Sequence, residues 1–232
     1  MVTTISARHG LFTPPGPAGT LFLPGLPGLP GGGPTVRDRG PLGCTGTITG
    51  ARWVCLPGGL RCLDFDGSDD YVNFAGVLPT AGITGNQLGV HLWVRPAGTI
   101  TSERTFIEAR DKFVLRGLAT NKLNCRLYLD GSWTGQIELA DNSLAPGAWN
   151  AAGLSYDGAV VCLYLNRQPE TPSNSSQSGS FNGAASLFRL GVDVNVNYDF
   201  AGQMALVRVY GRALSALEFR HLYDSEKGFF RG

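Results

Sequence analysis

Short stretches of alternating apolar and polar residues dominate the chain, which is the pattern of β-strands that bury one face. The clearest pair flanks a turn rich in Asp and Gly within residues 63–74 and predicts a half-buried β-hairpin. Residues 88–95 and 123–130 alternate in the same way and predict two more half-buried strands. Asp157-Gly158 separates a further pair and is a strong hairpin signal. Short strands at near-regular spacing predict an all-β sandwich or jelly roll.

Helical patterning is confined to the last part of the chain. Residues 215–218 read Ser-Ala-Leu-Glu, a capping box in which the side chains of Ser215 and Glu218 can each bond the other's backbone amide. Leu214 and Phe219 are placed to pack against each other across this helix start. The sequence therefore predicts one short amphipathic helix after the last strand.

The N-terminal region has little to bury and many prolines. Residues 1–17 predict an extended arm, because proline cannot join the interior of a sheet. We therefore divide the chain into an arm at 1–17, one jelly-roll domain at 18–224 and a C-terminal tail at 225–232. An arm of this kind is ordered only when something holds it, so it indicates contact with its own domain or a neighbouring subunit. The residues expected to make that contact are Phe12, Pro14 and Pro15.

Charge and hydropathy exclude several classes of function. The 232 residues carry a net charge of +1, from 19 basic and 18 acidic residues, and neither sign forms a block. This balance argues against nucleic acid and anionic membranes as partners. No stretch approaches the roughly 20 apolar residues of a membrane helix. The N-terminal residues lack the pattern of a secretory signal peptide, so we expect no export by that route and no membrane insertion.

The five cysteines show no zinc-site spacing. Cys44, Cys55 and Cys62 lie close enough in sequence for one local disulfide. Burial of all five cysteines as small apolar residues explains them at least as well. The pattern leaves both interpretations open.

Four segments, in this order, resemble the laminin-G-like (concanavalin A-like) jelly-roll family. The resemblance spans about residues 20–223 and implies two antiparallel sheets packed face to face. It also implies that ligands or Ca²⁺ are held by loops at one rim or on the concave sheet. The matching segments are residues 63–74, 89–96, 149–166 and 200–223.

The pattern lacks the groups needed for hydrolysis of sugars. Hydrolases on this fold place two carboxylates at alternate positions of one strand, and retaining hydrolysis needs them about 5–5.5 Å apart. The chain has no Glu-x-Asp-x-Glu run, and Glu108 and Asp111 are three residues apart, which places them on opposite faces of a strand. The histidines (His9, His91 and His221) suggest no Ser/Cys–His–Asp set. We therefore expect a non-enzymatic protein without a catalytic cofactor.

Asp66, Asp69 and Asp70 form the one candidate metal site, since clustered carboxylates suit a structural Ca²⁺. Asp side chains also commonly stabilise their own turns, and this second interpretation is favoured. Many members of the family carry an acidic residue just before the last strand, where it can bind a cation. Residues 204–206 read Met-Ala-Leu instead, which weakens the case for Ca²⁺.

Two loops offer groups that suit a carbohydrate ligand. Trp133 follows a Gly-containing turn, and Asn197 and Tyr198 lie in an Asn-rich segment. Aromatic faces and amides of this kind can contact sugars, although each side chain can equally pack on its own domain. That second interpretation is favoured for both loops.

Three functions compete on this pattern. The first is a structural or decorating protein on the surface of a virion such as a bacteriophage. It would be anchored to other virion proteins or to copies of itself through the arm and through Phe229 and Phe230 of the tail. The second is an extracellular carbohydrate-binding adhesin module that recognises a host-surface glycan. The third, a glycan-active enzyme, lacks its carboxylate pair, and the sequence ranks the virion protein first.

Overall fold

The computed structural model describes the backbone of residues 21–23 and residues 33–75, 83–182 and 187–230 in full. Within this part of the chain, two antiparallel sheets pack face to face, as the sequence and the resemblance predict. None of the described helices is long and apolar enough to cross a membrane. The predicted arm, with Phe12, Pro14 and Pro15, lies outside the described residues.

Seventeen strands are present in the described residues. In chain order they are β1 (Leu21–Leu23), β2 (Thr35–Arg37), β3 (Thr45–Thr49), β4 (Arg52–Cys55), β5 (Arg61–Asp66), β6 (Tyr71–Phe74), β7 (Leu88–Pro96), β8 (Arg104–Ala109), β9 (Phe113–Leu118), β10 (Lys122–Leu129), β11 (Ser132–Trp133), β12 (Ile137–Glu138), β13 (Asn150–Tyr156), β14 (Val161–Leu165), β15 (Gln168–Glu170), β16 (Phe188–Leu190) and β17 (Ala201–Tyr210).

The strands divide into two sheets with a shared apolar core. The first sheet has the order β15-β14-β13-β7-β17-β5-β4, and β1 also pairs along β17. The second has the order β11-β10-β9-β8-β16-β6-β3-β2, and β12 also pairs with β10. Phe188 is fully buried between the sheets, and its ring centre lies 5.2 Å from that of Phe74 and 6.5 Å from that of Phe113. β13 and β14 pair on either side of Asp157-Gly158, which confirms that hairpin.

The Asp- and Gly-rich turn after β5 does not close a hairpin, so that prediction was wrong. β5 pairs with β4 and β17 in the first sheet, whereas β6 pairs with β3 and β16 in the second. The turn therefore carries the chain from one sheet to the other. The apolar residues of both strands still face one core, and these are Leu63, Phe65, Val72 and Phe74. Alternation is the same for two strands in one sheet and for two strands facing each other across a sandwich.

Among the described residues, the α-helix α1 (Ala216–Glu226) follows β17 and continues into a 3₁₀ helix (Lys227–Phe230). It begins at the predicted capping box. The Ser215 hydroxyl accepts a hydrogen bond from the Glu218 amide at 3.3 Å, and the Glu218 carboxylate accepts one from the Ser215 amide at 2.9 Å. The helical prediction at the end of the chain is therefore confirmed.

The helix covers the outer face of the first sheet, which makes β7 differ from its prediction. The pattern at residues 88–95 predicts a half-buried strand, but only Arg95 of β7 is exposed. Phe219 of α1 is buried and its ring stacks on Tyr164 with centres 3.7 Å apart. A Cβ added at Gly153 in β13 would lie 2.3 Å from the Phe219 ring, so glycine at this position allows the close approach of helix and sheet.

A buried ion pair joins the end of α1 to the sheet. The Arg208 guanidinium and the Glu226 carboxylate lie 2.5 Å apart, and their side chains are 2% and 1% exposed. The second oxygen of Glu226 accepts a hydrogen bond from the Trp93 indole at 2.7 Å. His91 lies beside Arg208, and burial followed by the Arg208 charge lowers its pKa well below the ordinary value. These polar groups are buried because α1 excludes water from this face.

Residues 225–230 belong to this packed layer, whereas the sequence assigns 225–232 to a separate tail. The Phe230 ring stacks on Trp93 with centres 4.1 Å apart and tilts against Trp149 at 4.6 Å. Phe229 packs against the same apolar cluster. Both rings are half-buried on their own domain, because the outer face of the first sheet is apolar at this end. Their assembly role stays a prediction.

All five cysteines are free. Cys44, Cys62 and Cys125 are buried, whereas Cys55 is exposed on β4. Burial raises the pKa of Cys44 to about 11 and that of Cys62 to about 12. Burial as small apolar groups therefore explains three of the five, and no local disulfide forms.

Candidate ligand-binding site on the second sheet

The two sheets carry different chemistry on their outer faces. On the first sheet, mostly apolar side chains face α1 and the 3₁₀ helix, together with the buried Arg208 and His91. On the second sheet, the outer face carries charged and amide side chains. Polar side chains that are fixed on a sheet face can supply the few placed polar groups that orient a ligand. The apolar cluster on the first sheet includes Leu56, Leu60, Cys62, Ala151 and Ala205.

A line of cross-strand partners crosses the outer face of the second sheet, and we call it the polar row. Each member is paired in register with the next, from β3 through β6, β16, β8 and β9 to β10. Directly paired residues present their side chains on the same face, about 5 Å apart. Their chain neighbours Phe74, Phe188 and Ala109 are buried in the core, which places the row outside. In this order the polar row is Thr47, Asn73, Arg189, Glu108, Val114 and Arg126, of which Val114 is the one apolar and buried member.

Arg189 lies at the centre of the polar row and is held by neutral partners. Its Nε donates to the Asn73 side-chain oxygen at 3.3 Å. One Nη donates to the carbonyl oxygens of Asp193 and Val194 at 3.3 and 3.2 Å. The guanidinium carbon lies 5.3 Å from the centre of the Tyr71 ring. Arg189 takes part in none of the ion pairs found in the described residues, so its charge remains available to a ligand oxygen.

Glu108 is the cross-strand partner of Arg189 and is only 9% exposed. Burial, and then the nearby charge of Asp193, raises its pKa from the ordinary value of 4.5 to about 7. A carboxyl group with this pKa can accept or donate hydrogen bonds near neutral pH. The Glu108 carboxyl already accepts a hydrogen bond from the Val194 backbone amide. Arg189 and the remaining capacity of Glu108 together offer donors and an acceptor that a polyhydroxylated ligand can use.

Replacing Glu108 with Gln is expected to remove a pH-dependent loss of stability. The folded protein keeps the Glu108 proton up to about pH 7, whereas the unfolded chain releases it near pH 4.5. Unfolding therefore releases a proton between these values, and the stability of the unmodified protein falls as pH rises. We expect the Gln variant to gain about 2 kcal/mol relative to the unmodified protein across this window. Urea unfolding at pH 5 and pH 8 measures it, and parallel pH profiles would contradict it.

The loop between β16 and β17 borders the polar row on one side. Asp193 is buried, and its carboxylate accepts hydrogen bonds from the amides of Asn195 at 3.2 Å and Asn197 at 2.5 Å. The Thr105 amide on β8 donates to the carbonyl of Tyr198 at 2.9 Å, which fixes the loop against the sheet. The Tyr198 side chain is 46% exposed. The structure thus places the predicted pair Asn197 and Tyr198 beside the polar row.

Trp133 lies on the same sheet at the opposite side of the polar row. It is the cross-strand partner of Tyr128, and their ring centres are 5.4 Å apart. The Arg126 guanidinium lies 5.6 Å from the centre of the Trp133 ring, and its Nε donates to the Thr134 carbonyl at 2.8 Å. β11 is three strand positions from β8, or about 14 Å. Trp133 and Tyr198 therefore flank the row, although they do not touch each other.

A second polar cluster lies next to the row and fixes its neighbours. Arg116 on β9 is buried, and it donates from Nε to Asn124 and from Nη2 to Gln136, each at 2.9 Å. It also forms an ion pair with Glu103. Because its described partners satisfy this arginine, it supports the sheet face rather than offering a free contact.

Sequence reasoning did not identify Arg189, Glu108 or Asn73 as site residues. Alternation within a strand shows which residues point outward, and the pattern at residues 123–130 does predict an outward Arg126. It does not show which strands are neighbours. β6, β16 and β8 become neighbours only through the sheet order, and the signal for the row lies in that pairing.

The three aspartates of the candidate metal site do come together. Their carboxylate oxygens lie within 4.8 Å of one another. One oxygen of Asp70 accepts from the Asp66 amide at 2.7 Å, and Asp66 accepts from the Ser68 amide at 2.8 Å. Burial, opposed by that hydrogen bond, raises the pKa of Asp70, and the charges of Asp66 and Asp69 raise it further. The group would supply three of the six to eight oxygens that Ca²⁺ takes, and two of the carboxylates already hold the turn.

A family model described as the concanavalin A-like lectin/glucanases superfamily, of the laminin G type, matches residues 66–219. A search of the curated proteins found no match. Among solved structures, the binding domain of botulinum neurotoxin serotype G is similar, with 14% identity and a TM-score of 0.67. The match covers 88% of this chain and 50% of that one.

Two further solved structures show the binding domain of botulinum neurotoxin DC. One is a complex with rat synaptotagmin II, at 10% identity and a TM-score of 0.67, covering 88% of this chain and 51% of that one. The other is a complex with SialylT, at 9% identity and a TM-score of 0.64, and the match covers 89% of this chain and 51% of that one. This chain spans about half the length of these structures. The family model covers well over half of the chain and the two-sheet fold agrees with it, so the chain belongs to the concanavalin A-like lectin/glucanase superfamily as a laminin-G-like domain.

Proposed function

We propose that this protein is a non-catalytic binding module that recognises a cell-surface glycan through the polar row and the aromatic residues that flank it. The observation that carries the proposal is the pairing of Arg189 with Glu108 on an outer sheet face. Arg189 is oriented by neutral partners and keeps its charge, and the carboxyl of Glu108 stands beside it. Such a pair supplies fixed donors and an acceptor to neighbouring hydroxyl groups.

The flanking aromatic residues extend this contact surface. Trp133 lies on β11 and the Tyr198 carbonyl is bonded to Thr105 on β8, so the strands that hold them are three positions apart, about 14 Å across the sheet. A ring with a polar edge contributes apolar area at little entropic cost and is common in binding sites. The spacing matches a ligand of several sugar units rather than a single ring.

The similar solved structures support this class of function by analogy. The binding domain of botulinum neurotoxin DC has been solved in complexes with rat synaptotagmin II and with SialylT. At 9–10% identity the likeness concerns the fold, so the choice of a glycan here rests on the polar row.

The carboxylates of the site favour binding over hydrolysis. Glycoside hydrolysis needs two carboxyl groups free to act on opposite sides of one bond. Asp193 is the carboxylate whose charge acts most strongly on the pKa of Glu108. One of its oxygens already accepts hydrogen bonds from two loop amides. This supports the expectation of a non-enzymatic protein.

The virion-surface interpretation receives no support from the comparisons. The arm on which it depends lies outside the described residues, so it stays a prediction of the sequence alone. A module that binds a cell-surface glycan would act outside the cell, which agrees with the alternative of an extracellular adhesin.

Replacing Arg189 with Gln is expected to weaken binding to a glycan by at least about tenfold, because a charged hydrogen-bond donor is lost. The glycan is first identified by screening the unmodified protein on a glycan array, and affinity is then measured by calorimetry. Replacing Trp133 with Ala should weaken the same binding, whereas replacing exposed Arg52 on the first sheet with Gln should leave it unchanged. Thermal unfolding checks that each variant is folded. An array without hits, or equal affinity after the Arg189 change, would refute the proposal.

A further inference from the structure

A second candidate site lies on the other sheet, away from the polar row. A cavity of about 450 Å³ opens at one end of the first sheet, beside the 3₁₀ helix. Its walls are the turn between β4 and β5, the segment 147–149 before β13, the end of β7 and the 3₁₀ helix. This volume is in the range of small-molecule sites, about 300–1,000 Å³.

The walls of this cavity are held by close contacts. A Cβ added at Gly58 would lie 3.0 Å from the carbonyl oxygen of Phe229, so the β4–β5 turn packs directly on the 3₁₀ helix. Phe230 is fixed between Trp93 and Trp149, with ring centres 4.1 and 4.6 Å away. Trp149 and Phe230 thus form a preformed aromatic wall, and both are half-buried.

Arg95 is the charged residue of the cavity. It is the one exposed residue of β7, and its Nε donates to the Gly147 carbonyl at 2.8 Å. This bond fixes the guanidinium at the cavity edge. Arg95 takes part in none of the ion pairs found in the described residues, so its remaining N–H donors are not matched by a carboxylate.

The neighbours of Arg95 on the sheet also leave its charge uncompensated. Its cross-strand partner on β17 is neutral Gln203. Asp64 on β5 pairs with Gln203, which places this carboxylate two strands away, about 10 Å from Arg95 in backbone terms. The charge of the fixed Arg95 guanidinium is therefore available to an anion beside the aromatic wall.

We infer that this cavity binds a small organic anion in which a carboxylate is joined to a flat apolar ring. The carboxylate would take the free donors of Arg95 in the forked geometry that guanidinium favours. The ring would lie against Trp149 and Phe230 in an offset or edge-on arrangement. The inference is independent of the glycan proposal, because it uses neither the same sheet face nor the same residues.

The test uses naphthoate as the anion and naphthalenemethanol as its neutral match. The four tryptophans are labelled at the indole nitrogen, and each N–H signal is followed by NMR during titration. We expect naphthoate to shift the Trp149 signal in a saturable way and to leave Trp133 unchanged. Naphthalenemethanol should bind at least about tenfold more weakly, since it lacks the charge.

Replacing Arg95 with Gln should weaken naphthoate binding by at least about tenfold, whereas replacing Arg52 with Gln should not change it. Replacing Arg189 with Gln should also leave it unchanged, which separates this site from the glycan site. Arg95 is exposed, so its replacement should not disturb folding. The inference is overturned if Trp149 does not respond, if the alcohol binds as tightly as the acid, or if the Arg95 variant binds equally well.

Discussion

Replacing Glu226 with Ala is expected to lower the free energy of unfolding by about 3–5 kcal/mol. Glu226 and Arg208 form an ion pair from which water is excluded, with side chains 1% and 2% exposed. Removing the carboxylate takes away the negative charge that balances buried Arg208, and it also removes the acceptor of the Trp93 indole. Urea unfolding followed by tryptophan fluorescence measures the loss.

Asp224 provides the matched control on the same helix. It pairs with Arg167 and Lys227 at the surface, and replacing it with Ala should change stability little. A double variant that combines Arg208→Met with Glu226→Leu should recover most of the loss, because neither charge then remains buried. If the Glu226 and Asp224 variants lose equal stability, water must reach the ion pair and the described packing of α1 is wrong.

Replacing Gly153 with Val is expected to cost about 3 kcal/mol, the second large effect. The first added carbon would lie 2.3 Å from the Phe219 ring. That ring is 1% exposed and stacks on Tyr164 at 3.7 Å, so it has no free space to move into. Either α1 lifts from the sheet or the sheet distorts, and urea unfolding reports both as lost stability.

Gly98 is the matched control, because a Cβ added there meets nothing within 4 Å. Replacing Gly98 with Ala should leave stability unchanged. Replacing Phe219 with Leu should cost less in the Gly153→Val background than in the unmodified protein, since the smaller side chain relieves the clash. Strictly additive losses would show that the side chains at positions 153 and 219 do not meet.

The sequence predicts the local structure of this domain well, because the relevant forces act between near neighbours. The capping box at Ser215 and Glu218 forms as predicted, and Asp157-Gly158 joins two paired strands. The prediction for residues 63–74 was wrong about pairing alone. Alternation shows that one face of a strand is buried, but it does not show in which sheet the next strand lies.

The candidate site is less accessible from the sequence. Trp133 and Tyr198 can be chosen from their residue types and turns, and the structure places both beside the polar row. Arg189 and Glu108 are 81 residues apart in the sequence, yet they are direct cross-strand partners. Only the sheet order brings them together. β7 similarly becomes buried on both faces because a helix more than a hundred residues later covers it.

The position of β17 and α1 in the chain has a consequence for synthesis. β17 lies between β7 and β5 near the middle of the first sheet, yet it follows all the other described strands in the chain and leaves the ribosome after them. α1, which shields the apolar side of that sheet, emerges later still. The nascent chain must therefore carry an incomplete sheet with an uncovered apolar surface until both have been made. During that interval it is vulnerable to aggregation and is a natural client for chaperones.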